Sequence, residues 1–250
     1  MTLDITKLVN DWPYEPGQIN VRLISGDDGR PKIQMRVDLG ILQMETEGRP
    51  DGVKPDGYES FLELHEDRLD AHIAEHGSDE DFSLDAETCR ILRDEAVQYY
   101  HRYISLLVLE DYEGVVRDTS RNLRVLDFCG AYSESDQDRQ MLEQFRPYLV
   151  MMRARALAGQ ALEAGEPKAA MAALDDGLDQ IRSHFADTGH ADQFETASET
   201  ELLREMRDSL APKLPITARD ELRKRLDRAI MQENYELAAI LRDELRMMPE

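Results

Sequence analysis

Cysteine, tryptophan and positive charge are scarce in this chain. Its 250 residues include two cysteines and one tryptophan, and 30 Lys and Arg face 52 Asp and Glu, which leaves a formal net charge of −22. Cys89 and Cys129 both fall inside helical patterns, so we expect buried, reduced thiols rather than a disulfide framework. Proteins that bind nucleic acid neutralise its phosphates with Lys and Arg. The acidic excess therefore favours a protein that makes no direct contact with nucleic acid.

Long apolar runs are also missing from the sequence. Residues 103–109 form one of the most apolar stretches, but a helix needs roughly 20 such residues to span a membrane. The first residues do not show the basic region and apolar stretch of a signal peptide. We therefore expect a cytoplasmic protein that does not contact a membrane.

The sequence motifs of enzymes are absent as well. It contains no Gly-rich phosphate loop, nucleophile–base set or complete set of metal ligands. His72 and His76 have a spacing that can hold a metal, but no further ligands complete the set, so we interpret them and His65 as surface histidines. Residues 49–52 and 54–57 are Pro-Asp-Gly segments, interpreted as turns rather than as a phosphate-holding loop. We expect no catalytic residues, metal or cofactor, and an enzyme built on these histidines or turns is the alternative.

Alternating polarity predicts a small sheet near the N-terminus. Val21 and Leu23 alternate with polar neighbours, and a turn pattern follows at residues 27–30. A second alternating run has its apolar side chains at odd positions: Ile33, Met35, Val37 and Leu39. The phase changes at Gly40, which favours a bulge or bend. We expect an antiparallel meander of two or three strands over residues 19–46, inside a β region at residues 1–57 that Trp12 anchors.

Residues 58–211 have the apolar period of helices. One helix is expected at residues 58–76, and residues 85–210 predict several more. The first of these later helices has a long apolar stripe: Ile91, Leu92, Val97, Tyr100, Ile104, Leu107 and Val108. The sequence therefore predicts a helical body.

Two parts of this body share a helix–turn–helix pattern. The turns are expected at residues 111–114 and 165–167, and small residues open the helix after the second turn. An extra helix near residues 136–146, with Ser135 as its N-cap, separates the two pairs. The pattern resembles tetratricopeptide-like pairs, although its period is longer than the standard repeat. A generic helical bundle is an equally good interpretation.

The last segment of the chain predicts an antiparallel helical hairpin. A linker with two prolines at residues 212–215 comes before it. Helical patterns at residues 217–231 and 235–247 are separated by about three residues. Asn234 is a suitable N-cap for the second helix. We expect the hairpin within residues 212–250.

The sequence of this hairpin resembles the UVR motif. The string Asn-Tyr-Glu-x-Ala-Ala-x-Leu-Arg-Asp at residues 234–243 has the motif's fixed positions at the right spacing. The motif occurs at the C-terminus of the excision-repair subunit UvrB, inside its partner UvrC, and in some Clp-type chaperones and their adaptors. The resemblance implies a partner-binding surface at these positions: Leu222, Leu226, Ala229, Ile230, Tyr235, Glu236, Ala238, Ala239, Leu241, Arg242, Asp243 and Leu245. The order of parts along the whole chain resembles uncharacterised bacterial proteins that carry this motif at the C-terminus.

Together these patterns predict a mainly α fold. It comprises a small N-terminal antiparallel β-meander, a tetratricopeptide-like helical body and a C-terminal antiparallel helical hairpin. The resemblance implies a non-catalytic adaptor or scaffold that binds a UvrB/UvrC-like protein, a Clp-type chaperone component or a second copy of itself. The alternative is an accessory factor of nucleotide-excision DNA repair, recruited by hairpin pairing.

Overall fold

A computed structural model describes residues 4–210 and, beyond them, residues 226–228, 230, 231 and 242. The mainly α architecture predicted from the sequence is confirmed, because a three-stranded antiparallel sheet near the N-terminus is followed by a helical body. The chain divides into two compact units, Met1–Asp208 and Ser209–Glu250. Most of the predicted C-terminal hairpin lies outside the described residues.

The sheet is the predicted meander of three antiparallel strands in the order β1 (Asn20–Ser25), β2 (Pro31–Val37) and β3 (Gly40–Glu45). In its register Ile33 of β2 lies between Leu23 of β1 and Met44 of β3, so apolar side chains share one face. Ile33 is fully buried, and β2 packs against the helix Ala86–Val108. A short helix, α1 (Thr6–Asn10), precedes the strands.

The bulge or bend predicted at Gly40 is instead a complete reversal of the chain. Val37 pairs with Gly40, so Asp38 and Leu39 form the tight turn of a hairpin between β2 and β3. Leu39, which the alternating pattern placed on the buried face, is 88% exposed. The phase change in the sequence thus marks a reversal of the chain direction.

The polar face of the sheet is covered by the segment before β1. Arg22 donates to the side chain of Gln34 at 2.8 Å, and its guanidinium lies 4.1 Å from the ring centroid of Trp12. The carbonyl of Trp12 accepts a hydrogen bond from Arg36 Nε at 2.7 Å. Trp12 therefore fixes the N-terminal segment on the sheet through both its ring and its backbone.

Seven helices form the body of the molecule. Ser135 is an N-cap, as predicted, because its Oγ accepts from the Asp138 N–H at 3.1 Å. Ser60 caps the first of these helices in the same way, and its Oγ accepts from the Glu63 N–H at 3.2 Å. The extra helix between the two long pairs is confirmed and is labelled α5. The bounds are α2 (Phe61–His76), α3 (Ala86–Val108), α4 (Tyr112–Tyr132), α5 (Asp136–Glu143), α6 (Arg146–Glu163), α7 (Pro167–Asp187) and α8 (Ser198–Leu210).

Each long helix packs on the next, α3 on α4, α4 on α6 and α6 on α7. The last of these contacts is close, because an added Cβ at Gly177 would lie 2.6 Å from the Cβ of Ala154. Cys89 and Cys129 are free thiols buried within α3 and α4, as expected. None of the described helices combines the length and apolar character needed to cross a membrane.

Candidate functional site

Three of the partner-binding positions predicted in the hairpin fall within the described residues. Leu226, Ile230 and Arg242 are all helical; Leu226 is half-buried and Ile230 is 50% exposed. The neighbouring Met231 is 86% exposed. Two adjacent large apolar side chains therefore face solvent in this unit. The other positions lie outside the described residues: Leu222, Ala229, Tyr235, Glu236, Ala238, Ala239, Leu241, Asp243 and Leu245.

The histidines of α2 do not come together with further metal ligands. The rings of His72 and His76 stack with centroids 4.3 Å apart, and a nitrogen of His72 lies 2.9 Å from the carbonyl of Glu80. The surface position predicted for His65 is wrong, because it follows Leu62 by one helical turn and shares its buried face. Burial lowers the pKa of His65. Within the described ranges, no cluster of three or more His, Cys, Asp or Glu could hold a metal ion.

The two Pro-Asp-Gly segments are turns, as predicted. The Gly52 N–H donates to the carbonyl of Arg49 at 2.9 Å, and the Gly57 N–H donates to that of Lys54 at 3.4 Å. Both glycines have positive φ, 74° and 89°, which a side chain would disfavour. The Arg49 guanidinium is already paired, with Asp51 at 2.8 Å and with a buried glutamate of α3. This arginine is therefore not open to a phosphate.

That glutamate, Glu95, is the centre of a buried ion network. It is 1% exposed, and its carboxylate pairs with Arg49 at 2.9 Å and with Arg121 of α4. The same carboxylate accepts from the backbone N–H groups of Phe61 at 2.9 Å and Leu62 at 3.3 Å. These groups begin α2, where the helix dipole also favours an anion. One carboxylate thus holds α2, α3, α4 and the segment after the sheet together.

A second buried pair lies beside it. Arg102 of α3 and Asp118 of α4 form two hydrogen bonds, of 2.6 and 2.8 Å, and neither side chain is more than 1% exposed. Arg102 also donates to the carbonyls of Glu45 at 3.2 Å and Gly48 at 2.8 Å, at the end of β3. The pair therefore joins the sheet to the first two long helices.

The two buried ion pairs connect the sheet to the helices and leave little room for a ligand. The ring of Tyr99 lies between the two arginines, 4.9 Å from Arg102 and 4.1 Å from Arg121. A carboxylate and this ring engage each cation, backbone carbonyls also accept from Arg102, and the side-chain oxygen of Asn122 accepts from Arg121. Within the network, Nε of Arg121 is left without a partner. Groups of the fold itself therefore engage both cations.

A separate cavity of about 700 Å³ is lined by residues of α3, α4, α5 and α6 and by Glu199 of α8. Its walls are largely apolar, and we call it the tyrosine groove after Tyr100, Tyr103 and Tyr148, which line it together with Phe145. The rings of Tyr100 and Tyr103 lie 5.6 Å apart at 88°, and those of Tyr100 and Tyr148 lie 6.4 Å apart at 47°. The groove thus presents several aromatic rings at steep angles to one another.

Part of the apolar stripe predicted for α3 lines this groove. Val97 and Tyr100 are 52% and 38% exposed, because they form the rim of the groove instead of packing in the core. Tyr103 lies deeper and is 2% exposed. Burial raises the pKa of its hydroxyl, and the neighbouring Tyr148 and Tyr100 add to the effect. This hydroxyl makes no hydrogen bond to the part of the chain that the structure describes.

Comparisons of this chain with protein-family models, with curated proteins and with solved structures find no match. The likeness of the hairpin to the UVR motif and that of the body to tetratricopeptide pairs therefore stay predictions from the sequence. The side chains described above are the basis on which a function can be argued.

Proposed function

We propose that this chain is a non-catalytic adaptor that binds another protein, or a second copy of itself, through its C-terminal hairpin. The UVR-like string at residues 234–243 is the observation that carries the proposal. The exposure of Ile230 and Met231 supports it, because apolar side chains on a helix gain free energy when a partner helix covers them.

The size of the hairpin unit also supports a role in association. Ser209–Glu250 is a compact unit, and its length is near the about 40 residues below which a chain rarely folds without help from a partner, a metal or a disulfide. A unit of this size gains stability when it docks on another protein or on its own copy. Binding and folding of the hairpin would then be coupled.

The mechanism is the packing of helix on helix. Leu226, Ile230 and Leu241 supply apolar contact, together with Tyr235. The small pair of Ala238 and Ala239 lets an incoming helix come close. Arg242 and Asp243 set the register through charges at the rim of the interface.

The charge distribution is consistent with a protein partner. Residues 217–250 hold seven Lys and Arg and eight Asp and Glu, so nearly all of the net charge of −22 belongs to the rest of the chain. A nearly neutral hairpin can approach a partner without strong repulsion, while the acidic remainder disfavours direct contact with DNA. The partner classes that follow from the motif are a UvrB/UvrC-like protein, a Clp-type chaperone component and a second copy.

A second candidate function uses the same hairpin. An accessory factor of nucleotide-excision repair would be recruited by pairing with the hairpin of UvrB or UvrC, and the partner would supply the contact with DNA. The occurrence of the UVR motif in UvrB and UvrC favours this alternative. Binding assays with purified UvrB, a Clp-type ATPase and the chain itself separate the three partner classes.

The proposal is tested with the full-length chain carrying Ile230→Glu. A charge at this apolar position should abolish affinity capture of the partner and self-association in sedimentation velocity, because it would have to be buried without a counter-charge. Arg228→Glu is the matched control, since it places the same side chain at an exposed polar position of the same helical segment. Loss of binding in both variants, or in neither, would contradict the proposal.

A further inference from the structure

We propose that the tyrosine groove binds a cationic amphipathic helix of a partner protein. A Lys or Arg side chain of that helix would enter among Tyr100, Tyr103 and Tyr148, and its charge would face Glu199. The groove belongs to the unit Met1–Asp208, so this inference does not rest on the function proposed for the hairpin.

The aromatic rings supply the first argument for a cation. The faces of tyrosine rings carry partial negative charge and attract cations that come within about 6 Å. Among the described residues, arginines already lie over the rings of Trp12, Tyr14, Phe61, Tyr99 and Phe194. The rings that line the groove are outside this set and are free to accept a cation from elsewhere.

The carboxylate of Glu199 supplies the second argument. It lines the groove. Burial and Tyr100 raise the pKa of Tyr148, Arg155 lowers it, and Glu199 adds a smaller upward contribution. Glu199 accepts a hydrogen bond from Ser198 at 3.1 Å, and no cation of the described chain pairs with it. The other charged side chain of the lining, Arg93, is neutralised by Asp138 at 2.6 Å. Among the side chains that line the groove, the charge left without an ionic partner is therefore the negative charge of Glu199.

The shape of the groove favours a helix over a small amine. Residues of α3 from Arg93 to Tyr103 line one wall, and ten residues of an α-helix extend over about 15 Å. Val97 and Phe145 are each 52% exposed at the rim, and a small cation would leave both uncovered. A helix of about three turns would cover them with apolar residues at positions i, i+4 and i+7.

Charge complementarity fixes the sign of the partner. The net charge of −22 belongs almost entirely to residues 1–216. A field of this sign attracts basic segments and repels acidic ones. The hydroxyl of Tyr103, for which the described residues supply no hydrogen-bond partner, adds a hydrogen-bonding group to the lining of the groove.

The test measures fluorescence anisotropy of two labelled synthetic peptides with the full-length chain. Both peptides have the same leucine stripe, and one has Gln in place of every Lys. We expect the basic peptide to bind at least ten times more tightly. Tyr148→Leu keeps an apolar side chain but removes the ring. It should lower the affinity for the basic peptide by about 5- to 30-fold and leave the affinity for the neutral peptide unchanged.

A matched pair of charge variants separates the groove from general attraction. Glu199→Gln and Glu201→Gln remove the same charge from the same helix, and the side chain of Glu201 is exposed away from the groove lining. We expect weaker binding of the basic peptide only for Glu199→Gln. Equal weakening by both variants would overturn the proposal. This pair decides the question even if Tyr148→Leu lowers the melting temperature.

Two further measurements identify the kind of ligand that the groove binds. Tetramethylammonium chloride should displace the basic peptide no better than sodium chloride, and displacement at tenfold lower concentration would assign the groove to a small organic cation instead. Ile230→Glu should bind the basic peptide like the wild type. If Ile230→Glu abolished binding of the basic peptide, the peptide site would lie on the hairpin and the proposal would be overturned. If only the hairpin proposal failed, binding of the basic peptide to the groove would stay the same.

Discussion

Glu95→Gln is expected to destabilise the protein strongly although it changes few atoms. The glutamine keeps the shape of the side chain but removes the negative charge that Arg49 and Arg121 share. Removal of one member of a buried ion pair typically costs about 3–5 kcal/mol, because the other member keeps its desolvation penalty. For a chain of this size, that loss corresponds to a fall in melting temperature of roughly 6–20 °C.

The assay is urea unfolding followed by two probes. Circular dichroism reports the helical body, and fluorescence of Trp12, the only tryptophan, reports the sheet. Because Glu95 and Arg102 join the sheet to the helices, the two transitions should coincide in the wild type. In Glu95→Gln, the fluorescence transition should come first. Arg49 loses its buried counter-charge, and this arginine follows the sheet directly.

Glu87→Gln is the control for this experiment. It makes the same substitution on the same helix, but the pair of Glu87 with Arg90 is exposed on both sides. Exposed ion pairs contribute little to stability, so the unfolding curve should stay unchanged. Equal unfolding free energies for the two variants would refute the reasoning, because they would show that the network around Glu95 is hydrated.

Three other expectations concern single groups and the net charge. Burial lowers the pKa of His65, so the unfolded chain takes up its proton first and stability should fall as the pH drops below about 6.5. His65→Gln should flatten this dependence in urea titrations at pH 5 to 7, and an unchanged slope would contradict the assignment. Gly177→Ala should lower the melting temperature, because the new Cβ would lie 2.6 Å from that of Ala154. In Gly130→Ala the new Cβ would lie 3.7 Å from Glu143, so the helix should gain about 0.5–1 kcal/mol of stability. Shifts of the same sign in the two variants would contradict this packing. Micromolar protein should not shift duplex DNA at physiological salt, and a salt-dependent shift would contradict that expectation.

The architecture could be predicted from the sequence because its signals are local. Alternating polarity identified β1 and β2, and the cap at Ser135 marked the start of α5. The turn at Asp38 and Leu39 was missed because the apolar alternation of β2 continues through Leu39. The sequence there also lacks the Asn-Gly or Asp-Gly pair that marks most tight hairpins.

The buried ion network could not be predicted, because its partners are far apart along the chain. Glu95 is separated from Arg49 by 46 residues, and Arg102 from Asp118 by 16. Glu95, Arg102 and Asp118 look like solvated charges in helical patterns, and Arg49 looks like a solvated charge at a turn. A weak signal was available: Glu95 follows Leu92 by three residues on the apolar face of α3, and Leu92 is fully buried.

The tyrosine groove was partly visible in the sequence. Tyr100 belongs to the apolar stripe predicted for the first long helix, and the extra helix between the two long pairs was expected. What the sequence does not give is the spacing between α3 and α6, which leaves Val97 and Phe145 at an open rim. Periodicity predicts which side chains are apolar on a helix, whereas the distance to the next helix decides which of them are covered.

The measurement that tests the adaptor most directly is partner binding by the full-length Ala239→Glu protein, with its melting temperature measured in parallel. Ala239 lies outside the described residues and is chosen from the motif. It follows Ala238 on the predicted helix by about 100°, so the two alanines cannot both face the first helix of the hairpin. We expect loss of partner capture and of self-association at an unchanged melting temperature. A charge in a desolvated helix contact costs several kcal/mol, but at a solvated position it costs little. Unchanged binding, or a collapse of the melting temperature from packing of the hairpin into its own body, would contradict the account.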